Sequence, residues 1–86
     1  MNTAITYIWG PPGTRKASLA ELLAAERPAG EAVIVERGTE SLVALRSWHQ
    51  VPHLYVWSTE PPRADERFLI ATEIHLPRPA EKRSAA

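Results

Sequence analysis

The chain has 86 residues, enough for one hydrophobic core and no second. Ten basic and ten acidic side chains cancel at pH 7, which removes any general pull toward nucleic acid or an anionic membrane and disfavours strong direct nucleic-acid contact. The absence of cysteine excludes disulfides and thiolate metal sites, and no apolar run reaches membrane-spanning or signal-peptide length, so a soluble cytoplasmic protein is expected.

In chain order, Thr3–Trp9 is β-branched, aromatic and almost continuously apolar, which predicts a strand buried on both faces. Gly10-Pro11-Pro12-Gly13-Thr14 stops it. Lys16–Arg27 then predicts a helix with Leu19, Leu22 and Leu23 as its apolar stripe, closed by Pro28-Ala29-Gly30. Glu31–Glu36 is a second short strand, apolar enough to predict burial. A helix follows from Glu40 to about Gln50, with Thr39 as N-cap and Leu42, Leu45, Trp48 and Val43 as its buried stripe.

His53–Ser58 is a third strand, Pro61-Pro62 a rigid loop, Arg63–Ile70 a short helical turn and Thr72–Leu76 a fourth strand. This alternation predicts a small three-layer α/β domain over residues 1–77, with a mainly parallel sheet of about four strands and two or three helices. Residues 78–86 carry nothing to bury and read as a flexible tail.

A loop between a buried strand and a helix N-terminus can hold phosphate, because successive backbone N–H groups converge there and the helix dipole adds positive potential. The segment Gly10-Pro11-Pro12-Gly13-Thr14-Arg15-Lys16-Ala17-Ser18 keeps the first glycine, the inner glycine and the lysine of the pattern G-x-x-x-x-G-K-[ST]. It resembles the GPPGTGK loop of the additional-strand P-loop NTPases, and of their AAA+ branch in particular. That resemblance implies a P-loop-like fold, ATP or another nucleoside triphosphate as ligand, and Gly10, Pro11, Pro12, Gly13, Thr14, Arg15, Lys16, Ala17 and Ser18 as the residues around its phosphates.

Two positions depart from the pattern. Arg15 stands where a glycine lets backbone approach phosphate, and Ala17 stands where a hydroxyl ligates magnesium, with Ser18 the nearest replacement. The resemblance extends, on weaker motifs, to Ala32–Arg37 as the family's acidic strand. Glu36 then takes the metal-binding position, and Arg37 the position of the acid that polarises water. Glu60 falls at the polar sensor position, and Arg67 matches an arginine that reaches a neighbouring subunit's site in a ring. Glu36, Glu60 and Arg67 are therefore the candidate catalytic residues, each with an ordinary alternative as a solvated strand end, a loop residue and a surface charge. His49, His53 and His75 have no clustered acid or thiol, so no metal site is assigned to them.

With the magnesium ligand, the glycine cradle and the water-orienting acid all altered, the sequence reads as a pseudo-NTPase that works by binding another protein, either a true ATPase or further copies of itself. Its compact Ala/Arg/Pro-rich composition has the style of a phage or mobile-element accessory or inhibitor. The alternative is a minimal nucleotide-binding ATPase or phosphotransferase that completes its site by oligomerisation, with Lys16 and Ser18 carrying the chemistry.

Overall fold

A computed structural model describes residues 2–77, so the expected tail at 78–86 lies outside the described residues. Seven elements follow one another: β1 (Ala4–Trp9), α1 (Lys16–Ala25), β2 (Ala32–Glu36), α2 (Leu42–Trp48), β3 (His53–Ser58), the 3₁₀ helix α3 (Ala64–Leu69) and β4 (Ile70–His75). The four strands form one sheet in the order β2-β3-β1-β4, and every pairing is parallel. This is the expected α/β class, with α1 on one face and α2 and α3 on the other.

The layering follows from the two-residue period of the strands. Ile5 and Tyr7 of β1 join Leu54 and Val56 of β3 under Leu42 and Leu45 of α2. Ile8 and Tyr55, one residue out of phase, face α1 and pack on Ala20. Only the central strands β1 and β3 are buried on both faces; β2, read as a buried strand from its apolar run, is a half-exposed edge. No helix among the described residues is long and apolar enough to cross a membrane.

Three packing expectations are corrected. Leu22 does not belong to the α1 stripe: it is 68% exposed, while Lys16 and Ala20 are the buried residues of that helix. Leu42 and Leu45 are buried as expected, but Val43 and Trp48 are 54% and 64% exposed. Helix α2 has only seven residues, and its inward stripe continues at i+7 through the half-buried His49, which leaves Trp48 off the line. The cap of α2 is Ser41, whose hydroxyl accepts from the Ala44 amide at 3.1 Å, and not Thr39.

Strand β4 begins at Ile70, two residues earlier than its pattern implied. Its register against β1 slips between Ile5 and Thr6, so Ile5 faces Ile70 but Thr6 faces Thr72. The bulge carries His75 into position opposite Trp9.

Candidate functional site

The carboxyl ends of β1 and β3 lie side by side, and their outgoing loops diverge to opposite faces of the sheet. One leads to α1, the other to α3. In open parallel sheets such a divergence leaves a crevice where ligands bind. The loop Gly10–Arg15 forms one side of this edge.

Its start is clamped by neighbours. The Gly10 amide donates to the Ser58 carbonyl at 3.2 Å, and the Leu76 amide donates to the Trp9 carbonyl at 2.8 Å. Gly13 and Arg15 then take positive φ angles of 88° and 61°. Gly13 does so freely, whereas Arg15, at the cap of α1, holds a left-handed conformation that costs a side-chain-bearing residue roughly 1 kcal/mol or more. Arg15→Gly is therefore expected to raise stability by up to about 1 kcal/mol, net of the extra freedom glycine gains when unfolded. Urea titration of the two proteins checks this.

Lys16 is the first residue of α1 and is 4% exposed. Its Nζ donates to the Pro11 carbonyl at 2.9 Å and to Thr14 Oγ1 at 3.1 Å, while the Thr14 hydroxyl donates to the same Pro11 carbonyl at 2.9 Å. The ammonium is thus folded inside its own loop. A bound phosphate would take over donors that now serve Pro11 and Thr14. Ala17 is half-buried and Ser18 is exposed in the first turn of the helix.

Beside the loop, on the α2–α3 side, a cleft of about 450 Å³ opens among the ends of β1, β2 and β3. Tyr7, Arg37, Ser58, Glu60 and Arg63 are among its lining residues. Arg37 is the hub: its Nε donates to the Glu40 carbonyl at 2.9 Å, one terminal nitrogen to the Tyr7 hydroxyl at 3.2 Å, and the other to Glu66 at 2.7 Å. The side chains of Arg37 and Glu66 are only 8% and 7% exposed.

Glu66 also accepts from Arg63 at 3.2 Å and from the Leu42 amide, so a carboxylate on α3 caps the N-terminus of α2. Burial alone would raise the Glu66 carboxyl. The hydrogen bonds from Arg37, the Leu42 amide and Arg63 outweigh it and hold the group at about 2, against an ordinary 4.5. Arg37 is shifted upward: burial opposes its charge, and the bonds to Glu66 and Tyr7 more than compensate.

The weaker candidates are dispersed. Glu36 is exposed at the end of the edge strand β2, out of phase with Val33 and Val35, and is not among the cleft residues. Glu60 lines the cleft with an exposed side chain, and its backbone carbonyl accepts from the Tyr7 hydroxyl at 3.1 Å. Arg67 pairs with Glu73 at 3.2 Å. Glu73 in turn accepts from the Trp9 indole at 2.8 Å, and the Trp9 ring is stacked on His75 with centroids 3.8 Å apart and planes 9° from parallel.

Sequence reasoning missed both networks, Arg37–Glu66–Tyr7 and Trp9–His75–Glu73–Arg67. Only the i,i+3 spacing of Arg63 and Glu66 is a local signal; the other partners come from different elements. Compared with family models, with curated proteins and with solved structures, the chain finds no match.

Proposed function

We propose that this chain is a catalytically impaired P-loop-like domain: its loop holds phosphate without turnover, and the protein acts by binding another protein. One observation carries the impairment. Hydrolysis needs an acid free to orient water beside the phosphate. Past the end of β2, which β3 separates from loop-bearing β1, the cleft-lining position is held by Arg37, a permanent cation committed to Glu66, Tyr7 and the Glu40 carbonyl. Glu36, the acid adjacent to it, is exposed on the sheet edge.

The loop itself supports phosphate holding. It joins a central strand to a ten-residue helix, two of its residues take positive φ, and its lysine points into it. One strand, β3, stands between loop-bearing β1 and β2, which is what the name of the additional-strand class describes. The protein-binding half of the proposal draws on exposed apolar side chains of the two short helices on one face: Val43, Trp48 and Phe68, the last 82% exposed.

Calorimetric titration of ATP with and without Mg²⁺, run beside Lys16→Ala and a phosphate-release assay, tests this. Saturable binding that Lys16→Ala weakens at least tenfold, with no phosphate release above buffer, is the expected result. Lys16-dependent release would overturn the impairment. An absence of binding at millimolar ATP would remove the nucleotide from the proposal and leave a protein-binding scaffold.

The second reading, an enzyme completed by oligomerisation, is favoured by the inward Lys16 and the exposed Ser18 in the first turn of α1. It requires Arg67 to exchange Glu73 for a neighbour's site. Turnover that rises more steeply than protein concentration would support it.

A further inference from the structure

We propose that the Trp9–His75 stack is a nucleobase platform for the ligand whose phosphates the adjoining loop holds. The inference rests on the phosphate-holding reading above and adds the surface on which the ligand's base would lie, which separates a nucleotide from inorganic polyphosphate.

The platform is built from four side chains on three elements. Trp9 ends β1 and His75 ends β4, directly opposite it in the sheet register. Their rings lie almost flat on one another, 3.8 Å apart at the centroids. The indole cannot swivel freely, because its N–H donates to Glu73 at 2.8 Å, and Glu73 is held by Arg67 of α3 at 3.2 Å. One face of the His75 imidazole is covered by Trp9, and the residue as a whole is exposed among the described residues, which leaves ring surface for a further stacking partner.

An oriented, solvent-facing aromatic surface binds other planar π-systems, and bases stack on such surfaces whatever their sequence. The location selects a nucleotide among planar ligands. The loop begins at Gly10, the residue after Trp9, and its first peptide is tied to Leu76, the residue after His75. Stack and loop therefore share one backbone clamp. The carboxylate nearest the platform, Glu73, is neutralised by Arg67 and so does not repel an incoming phosphate chain.

The full chain is titrated separately with ATP, adenosine and tripolyphosphate, by calorimetry and by following the Trp9 indole N–H in ¹H–¹⁵N spectra. Wild type, His75→Ala and His75→Phe are compared. ATP is expected to bind about tenfold tighter than tripolyphosphate, the size of one base-on-aromatic stack. His75→Ala should abolish that advantage and leave tripolyphosphate binding unchanged, and His75→Phe should restore it.

Equal affinity for ATP and tripolyphosphate in wild type, or an advantage that survives His75→Ala, overturns the platform and leaves the phosphate loop standing. If tripolyphosphate does not bind, while adenosine shifts the Trp9 indole and the shift is lost in His75→Ala, the platform stands and the phosphate-holding reading falls. Silence toward all three ligands overturns both.

Discussion

Glu66→Ala is expected to destabilise the fold by about 3–5 kcal/mol, the cost of leaving a buried charge without its partner. Arg37 cannot shed its proton, and its side chain is 8% exposed, so without Glu66 the guanidinium loses its carboxylate partner where little water reaches it. The same change removes the acceptor for the Leu42 amide and leaves Ser41 as the side-chain cap of α2. A domain of this size has about 5–10 kcal/mol in total, so the variant should be substantially unfolded at 37 °C. Urea denaturation followed by far-UV circular dichroism measures the loss.

A paired apolar replacement, Arg37→Met with Glu66→Leu, should recover most of that stability, because the pair must overcome the desolvation of both ions before it contributes anything. Failure of the double variant to recover would mean that the bonds outside the pair, from Arg37 to Tyr7 and the Glu40 carbonyl and from the Leu42 amide to Glu66, hold the fold more than the pair does.

The same carboxyl sets an acid limb. Its folded value of about 2 lies below the unfolded 4.5, so the ionised form is the one that folding favours. The stabilisation is complete above pH 4.5 and is lost as pH falls from there toward 2. At about 1.4 kcal/mol per unit, the Glu66 contribution is on the order of 3 kcal/mol. Glu66→Gln should flatten the stability profile over that window, and an unchanged slope would assign the acid limb to other carboxylates.

Gly10→Ala is the second large effect. A Cβ at this position would sit 2.1 Å from the Leu76 carbonyl oxygen, a backbone atom that cannot rotate away. Either the end of β4 must move off β1 or the loop must shift, at about 1–3 kcal/mol as for other overpacked sites. Because Trp9 and His75 flank this contact, the variant should also disturb the ring stack and change the Trp9 indole resonance. Thermal melting together with that resonance checks both parts.

The first glycine of the loop pattern thus has a packing reason independent of any phosphate: the neighbouring strand passes too close for a side chain. Gly13 has a different one, since its φ of 88° is a conformation that side chains disfavour. Stability should therefore respond to Gly10→Ala with no ligand present.

What the sequence determined by itself is local. The apolar run of Ile5 to Trp9, the stop at Gly10–Thr14 and the alternation of strands and helices give four strands, their connections and the α/β class, because those signals are carried by neighbouring residues. The composition of Lys16–Arg27 placed a helix directly behind the loop, and the structure forms it over Lys16–Ala25.

Partnership between distant residues was decided by the tertiary structure. Arg37 and Glu66 are 29 residues apart and Trp9 and Glu73 are 64 apart, and nothing in the chain near either marks its partner. A one-residue slip of β4 against β1 places His75 on Trp9, and strand order alone makes β2 an edge and β3 a core strand despite similar apolar runs. The exposure of Leu22 and Trp48 has the same origin. Helical spacing defines which residues share a stripe, but the length of each helix and the sheet beneath it settle which stripe is covered.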